Sequence, residues 1–276
     1  MSLVIGGTGF IGSLLCKTLL EQNKHVICMD NNSSGNINNV LSLFEKEGFT
    51  YIEKDIVKPF SAGELINLKK LYILEIYHLA CPASPRAYQK DPIKTLETNF
   101  IGTQNVLKLA AILRAKVLYT STSEIYGDPK VVPQPETYWG NVNTLGPRSC
   151  YDEGKRIGET LCYEYNKRLG VPIKIVRIFN TYGPNMKKDD GRVVSNFINQ
   201  CLESKDITIY GDGSQTRSFC YVEDTINGLI KMMNHNSSYV GPINIGNPNE
   251  MTIKSLALLI RKLTNSKSII TFHNLP

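Results

Sequence analysis

Tyr151 and Lys155 stand four residues apart in the stretch Trp139-Gly-Asn-Val-Asn-Thr-Leu-Gly-Pro-Arg-Ser-Cys-Tyr-Asp-Glu-Gly-Lys155-Arg156. With Pro147 just before a helix and Asp152 and Glu153 in its first turn, the two side chains share one face. A free phenol, with a pKa of about 10, is a poor base at neutral pH. A nearby ammonium favours the phenolate, and each unit of lowering corresponds to about 1.4 kcal/mol. A Tyr tuned in this way takes a proton from a hydroxyl while a hydride leaves the same carbon.

Spacing does not choose this pair by itself, because Tyr-x-x-x-Lys also occurs at Tyr126/Lys130 and Tyr163/Lys167. The first runs through Gly127-Asp128-Pro129, which breaks a helix. The second lies further along the same expected helix, where a surface pair is expected. Tyr151 follows a polar strand end at a distance that lets a loop, residues 128–148, fold back over it. In that strand end, Lys116-Val-Leu-Tyr119 runs into Thr120-Ser-Thr-Ser-Glu124-Ile-Tyr-Gly127. Hydroxyls there suit hydrogen bonds to an oxygen that develops charge, and a carboxylate suits acid or base work. A Ser/Thr turn capping a helix would use the same residues.

Something must receive the hydride. Ser2-Leu-Val-Ile5 reads as a strand, followed by Gly6-Gly-Thr-Gly9-Phe-Ile-Gly12, an apolar-periodic helix to about Gln22, and a strand Val26–Met29 ending at Asp30. Glycines in such a turn let backbone amides approach a pyrophosphate at a helix N-terminus. An acid about 20 residues on binds ribose hydroxyls and favours NAD over NADP. A strand Phe49–Glu53 leads to Asp55-Ile56, where the acid suits either an adenine amino group or a turn. Leu71–Leu79 reads as a strand stopped by the prolines of Ala80-Cys-Pro-Ala-Ser-Pro85, and Pro92–Leu113 as one long helix carrying Asn99. Val171–Phe179 reads as the strand after the Tyr151 helix.

Alternating strands and helices through residue 179 imply a doubly wound parallel sheet of the Rossmann kind. Beyond it the pattern changes. Helices at Arg192–Glu203, Val222–Met233 and Ile253–Thr264, with short strands at Ile207–Tyr210 and Asn244–Ile245, suggest a smaller second domain. The expected division is 1–179, carrying the cofactor and the catalytic residues, and 180–276, binding substrate. Arg192 and Arg217 lie in loops of the second part, where guanidinium groups suit diphosphate oxygens or surface salt bridges.

Composition narrows the class. The chain has 276 residues, is 42% hydrophobic and carries a net charge of +6. The basic residues are spread out, so no nucleic-acid footprint is indicated. No apolar run reaches the roughly 18 residues that span a membrane, and no secretory leader is read at the start. Seven cysteines without a Cys-x-x-Cys read as reduced thiols of a cytoplasmic protein. The four His show no metal-ligand spacing, so no metal is expected.

The glycine turn, the Ser/Thr strand end and Tyr-x-x-x-Lys together resemble the extended short-chain dehydrogenase/reductase superfamily that remodels nucleotide sugars. Within it, several longer motifs resemble the UDP-glucuronic acid decarboxylase (UDP-xylose synthase) family. They are His78-Leu-Ala-Cys-Pro-Ala-Ser-Pro85, Ser121-Thr-Ser-Glu-Ile-Tyr-Gly-Asp128, Tyr138-Trp-Gly-Asn-Val-Asn143, Cys150-Tyr-Asp-Glu-Gly-Lys-Arg156, Arg177-Ile-Phe-Asn-Thr-Tyr-Gly-Pro184, Asp190-Gly-Arg-Val-Val-Ser-Asn-Phe197 and Tyr210-Gly-Asp-Gly-Ser-Gln-Thr-Arg217. The resemblance covers nearly the whole chain.

The resemblance implies NAD as cofactor, held by Gly6, Gly9, Phe10, Ile11, Gly12, Asp30, Asn31, Asp55, Ile56, Leu79, Ala80 and Asn99 together with Tyr151 and Lys155. It implies UDP-glucuronate as substrate and UDP-xylose as product, contacted by Pro82, Ser84, Tyr88, Thr122, Asn180, Arg192, Tyr210 and Arg217. It implies Thr122, Ser123, Glu124, Tyr151 and Lys155 as the catalytic set. Ser-Glu at 123–124, where sugar 4,6-dehydratases carry Asp-Glu and 4-epimerases lack the acid, favours decarboxylation. A homodimer joined through helices 92–113 and 151–169 is also implied. The sequence departs from the family at Ile5 and Thr144, where Thr and Pro are usual. It ends at Leu275-Pro276, before the family's Asp-Asp-Pro-x-x-x-Arg-x-Pro-Asp segment, whose Arg is expected near the reacting carboxylate. The fold expected is therefore the family's, C-terminally truncated.

Overall fold

The computed structural model describes residues 1–274. Strand β1 (Ser2–Ile5) leads into helix α1 (Phe10–Glu21) and strand β2 (Val26–Asp30). A 3-10 turn at Ile37–Leu43 precedes β3 (Phe49–Glu53), α2 (Ala62–Lys70) and β4 (Glu75–His78). Helices α3 (Pro85–Lys90) and α4 (Pro92–Glu97), a π turn at Thr98–Gly102 and α5 (Thr103–Leu113) follow. Next come β5 (Lys116–Thr122), a 3-10 turn at Ser123–Tyr126, α6 (Ser149–Leu169) and β6 (Ile173–Ile178). The remainder runs β7 (Thr181–Tyr182), α7 (Val193–Leu202), β8 (Ile207–Tyr210), β9 (Thr216–Ser218), β10 (Cys220–Tyr221), α8 (Val222–Asn234), β11 (Ile243–Ile245), β12 (Glu250–Thr252), α9 (Ile253–Leu263) and β13 (Ile270–His273).

The first compact unit comprises residues 1–178 and 223–245. Its sheet has the order β11-β6-β5-β4-β1-β2-β3, with every pairing parallel. Strands β1 and β2 are buried at every position, and such strands, covered on both faces, read as unbroken apolar runs. Leu3, Ile5, Ile27, Ile76, Val117 and Ile175 pack in one cluster with Val106, Leu107, Leu109 and Ala110 of α5. Strand order reverses between β1 and β4, and in open α/β sheets a ligand crevice lies beyond the carboxyl ends at such a point.

The second unit comprises residues 179–222 and the chain from 246 onward. Val194 and Phe197 of α7, Ile207 and Ile209 of β8, and Leu256, Ala257 and Ile260 of α9 form its core. Strands β8 and β13 pair in parallel, and β9 pairs antiparallel with β12.

Several elements differ from their sequence expectation. Strand β11 returns to the main sheet beside β6, pairing Ile243 with Val176 and Ile245 with Ile178. Three residues, Ile243-Asn244-Ile245, are too few to tell which sheet a short strand joins, which explains why the chain reads as one change of pattern at 179. Strand β4 starts at Glu75 because the capping box of Ser61 and Glu64 launches α2, which runs to Lys70. Pro85 opens helix α3 at its first position, where its missing N–H costs nothing. The long helix from Pro92 is interrupted by the π turn that carries Asn99.

Candidate active site

The glycine turn is shaped by backbone proximity. Gly6 has φ +84°, and a Cβ there would lie 2.7 Å from the Ala80 nitrogen. A Cβ on Gly12 would lie 2.1 Å from the Gly6 carbonyl oxygen. Only glycine fits either position. Gly9 caps α1 without a side-chain bond, so the first turn's amides face the turn, as an anion seat requires. Asp30 closes the other wall. Its Oδ2 accepts the Thr8 N–H at 3.0 Å and its Oδ1 the Asn32 N–H at 2.8 Å.

An open cleft lies here, lined by Gly6, Gly9, Asp30, Asn31, Asp55, Ile56, Leu79, Ala80 and Pro82 among others. Ser33, Ser34, Gly35, Lys54 and Thr98 also line it and were not anticipated, since no motif marks them, and so does Cys81, which lies within the 78–85 motif without having been named for the site. Asp55 accepts from the Val57 amide at 3.0 Å and from Lys94 Nζ at 2.9 Å. Burial raises the Asp55 pKa, but the Lys94 ammonium and the amide outweigh it, and the carboxyl is held below its ordinary range. Phe10, Ile11 and Gly12 sit in the first turn of α1. Asn99 is buried in the π turn, where its Nδ2 donates to Thr95 O at 2.9 Å and to Cys81 Sγ at 3.0 Å. A cleft built on a glycine cradle, a helix N-terminus and an acid at the end of β2 fits a dinucleotide.

Tyr151 and Lys155 lie in the first two turns of α6, and both are buried. Lys155 Nζ donates to the Thr120 carbonyl at 2.8 Å and stands 5.1 Å from the Tyr119 ring centroid. Burial lowers the Lys155 pKa, and the Cys81 and Cys162 thiols and the Glu159 carboxylate oppose it in part. Thr120 Oγ1 donates to the His78 carbonyl at 2.9 Å, and His78 Nε2 lies 3.0 Å from Thr103 Oγ1. Burial first, then Lys155, pushes the His78 pKa down to about 3, so its imidazole is neutral. The Tyr151 ring stacks on Tyr88 at 5.0 Å and 11°, and Cys150 and Cys81 complete that cluster. Tyr88, expected to face substrate, is 1% exposed. Ser84 sits at the N-cap of α3, four residues before it.

At the end of β5, Thr122 Oγ1 accepts the Glu124 amide at 3.3 Å and caps the turn Ser123–Tyr126. The hydroxyl hydrogen is still a donor, so capping and substrate binding are compatible. The Glu124 carboxylate pairs with Arg148. Arg148 was not anticipated, because a partner 24 positions away leaves no spacing signal. Its carbonyl accepts the Tyr151 and Asp152 amides at 2.9 and 3.1 Å, which starts α6. Asp152, placed by its spacing in the first turn of the helix, is buried with Oδ1 unpartnered. Burial raises its pKa to about 6, against an opposing pull from Arg148.

The loop 128–148 is tied down by a buried network. Arg177 of β6 donates to both Glu159 oxygens at 2.9 and 2.8 Å, to Tyr126 Oη at 2.9 Å and to the Glu136 carbonyl at 3.0 Å. Tyr126 Oη donates to Asn244 Oδ1 at 2.8 Å. Of the other two Tyr-x-x-x-Lys pairs, Tyr126 is buried here, and Lys167 lies 5.6 Å over the half-exposed Tyr163 ring.

The remaining expected residues belong to the second unit. Arg192 pairs with the buried Asp190, its Nη2 2.9 Å from Oδ2. Arg217 Nη1 donates to the Thr216 carbonyl at 2.7 Å, and its side chain is exposed. Tyr210 is half exposed, 6.2 Å from the His273 ring, and the Asn180 carbonyl accepts the Cys220 amide at 2.8 Å. Among the described residues no group of three or more His, Cys, Asp or Glu could hold a metal ion.

The fold and site define a Rossmann-type nucleotide-binding enzyme of the short-chain dehydrogenase/reductase kind. Residues 2–246 match the NAD dependent epimerase/dehydratase family, and the chain belongs to that family. It is 51% identical over 264 residues to UDP-glucuronic acid decarboxylase 3 of Arabidopsis thaliana, covering 95% of this chain and 74% of that one. It is 51% identical over 272 residues to UDP-glucuronic acid decarboxylase 1 of Danio rerio, covering 98% of this chain and 62% of that one. A UDP-glucuronic acid 4-epimerase from Bacillus cereus, solved with UDP-glucuronic acid and NAD, superposes with a TM-score of 0.85 at 31% identity, covering 99% of this chain and 86% of that one.

Proposed function

We propose that the chain catalyses NAD-dependent decarboxylation of UDP-glucuronate to UDP-xylose. The observation that carries this reading is the identity of about half the residues, over nearly all of this chain, with two UDP-glucuronic acid decarboxylases. The glycine cradle, Asp30 and Asp55 line the cleft and would hold NAD there. Bound there, NAD would supply a hydride acceptor and donor for C4 of the sugar.

The chain's own residues handle the protons and the charge. Tyr151 accepts the C4 hydroxyl proton, and Thr122 donates its O–H to the C4 oxygen. Buried Lys155 favours the phenolate of Tyr151 and holds the end of β5 through Thr120. Once C4 is a ketone, the substrate is a β-keto acid. The C5–C6 bond breaks, CO₂ leaves, and the electron pair passes into an enolate whose oxygen Thr122 and Tyr151 stabilise. Ser123 and Glu124 would lie near the substrate carboxylate and C5, where a proton must be added. Arg192 and Arg217 offer guanidinium groups to diphosphate oxygens, with Asn180 and Tyr210 as further sugar-nucleotide contacts.

Supplying purified protein with NAD and UDP-glucuronate tests this. UDP-xylose and one CO₂ per turnover are expected by mass spectrometry, and Tyr151→Phe lowers the rate by roughly 100-fold or more. Epimerisation without CO₂ would replace this reading with the activity of the Bacillus cereus neighbour, and a 4-keto-6-deoxy product would indicate a 4,6-dehydratase. Tight binding of both ligands without turnover would mark a nucleotide-sugar binder.

A homodimer is part of the reading. Ile93, Leu96, Phe100 and Ile101 near the start of the helical run, and Ile157 and Tyr163 of α6, leave apolar side chains exposed. Sedimentation at micromolar concentration distinguishes dimer from monomer. The cysteines are free thiols among the described residues, which supports a reducing, cytoplasmic setting that fractionation tests. No helix among the described residues is long and apolar enough to cross a membrane.

A further inference from the structure

Arg148 touches both halves of the proposed chemistry. Its guanidinium pairs with Glu124 at the end of β5. Its backbone carbonyl receives the Tyr151 and Asp152 amides that begin α6. Tyr151, the proton acceptor for C4, and Glu124, the acid nearest C5, are thereby referenced to one residue of the loop that joins their elements. Two other cations nearby are committed elsewhere: Lys155 donates to the Thr120 carbonyl, and Arg156 donates to the Ile125 and Trp139 carbonyls. The side chains of Arg148 and Glu124 are 49% and 34% exposed, so the pair is worth little as a stability device. A half-exposed arginine therefore matters here through where it holds a carboxylate.

We propose that Arg148 is a positioning residue for the decarboxylation step, holding the Glu124 carboxylate in register with Tyr151. The proposal rests on the UDP-glucuronate reading. Charge identity alone does not supply the effect, because guanidinium and ammonium differ in shape: the planar fork fixes the orientation of a carboxylate, and a lysine ammonium holds it only as a point charge. Misplacing a reacting group by about 1 Å can cost roughly 100-fold in rate.

The test is a double-mutant cycle of Arg148→Met with Glu124→Gln, read as kcat and KM for CO₂ release from UDP-glucuronate. Arg148→Met is expected to lower kcat by roughly 10- to 100-fold while KM for UDP-glucuronate changes less than about twofold. Arg148→Lys recovers part of the loss. In the Glu124→Gln background, Arg148→Met has no further effect, because the group it positions is already gone. Oxidation at C4 of UDP-xylose, which carries no carboxylate, stays within about twofold of wild type in Arg148→Met, showing that α6 and Tyr151 are intact. A rise in KM with kcat unchanged would overturn the proposal and make Arg148 a direct anchor for the sugar carboxylate. Additive losses in the double variant would overturn it too, as would loss of UDP-xylose oxidation in both Arg148→Met and Arg148→Lys. Wild-type protein that releases no CO₂ would bring down the function reading and this proposal together. An active wild type with any of the other outcomes brings down the proposal alone.

Discussion

Replacing Glu159 by Gln perturbs the network that ties residues 128–148 to the sheet. Glu159 and Arg177 have side chains 15% and 9% exposed, and they meet through two parallel bonds of 2.8 and 2.9 Å. Burial lowers the Arg177 pKa, but Glu159 and Tyr126 outweigh it, so the guanidinium stays charged. Glu159→Gln then leaves a buried cation with one neutral acceptor in place of a carboxylate. Breaking one side of such a pair costs about 3–5 kcal/mol, and the retained amide oxygen puts this case near 3. For a chain of this size that lowers the melting temperature by roughly 6–12 °C. The loss also reaches the loop, because Arg177 holds the Glu136 carbonyl and Tyr126, which in turn holds Asn244. Differential scanning calorimetry at neutral pH measures it. The double variant Glu159→Leu/Arg177→Met, which removes both charges, should be less destabilised than the sum of its single changes. A Glu159→Gln protein within about 0.5 kcal/mol of wild type, or strictly additive losses in the double variant, would refute the network as described.

Gly12→Ala places a Cβ against the Gly6 carbonyl, 2.1 Å away, and should weaken NAD binding by roughly 10- to 100-fold in titration calorimetry. Gly63→Ala, where a Cβ meets nothing within 4 Å, is the control that leaves binding unchanged. Asp152 carries a pH signature. Its pKa is raised by burial to about 6 in the folded protein, against about 3.9 for an ordinary Asp. The stability it contributes is therefore full below pH 4 and lost as pH rises to 6. Asp152→Asn, which has nothing to ionise, should gain about 1–2 kcal/mol over wild type at pH 7.5 and nothing near pH 4. Urea titrations at both pH values that gave the same difference would rule this out.

The glycine turn and the acid at the end of β2 were legible because each depends on local spacing, and Tyr151/Lys155 was singled out from two other pairs of the same spacing by the helix breaker in one of them and by the polar strand end that precedes Tyr151. A turn that needs φ > 0 at Gly6, a residue one helical turn from another and a strand of buried apolar side chains all leave their mark within a few positions. The alternation of strands and helices likewise announced a parallel sheet, since both elements have their own period. What the tertiary structure decided was partnership across distance. Arg148 meets Glu124, Arg177 meets Glu159, and Lys155 reaches the Thr120 carbonyl because α6 lies against β5, a juxtaposition no short window contains. Burial worked the same way. Asp152 reads as a polar first-turn residue, and only the packing around it turns it into a carboxyl held near pH 6. The pairing of β11 with β6 belongs here too: three residues carry too little pattern to name their neighbour, and the open edge of the sheet supplies it.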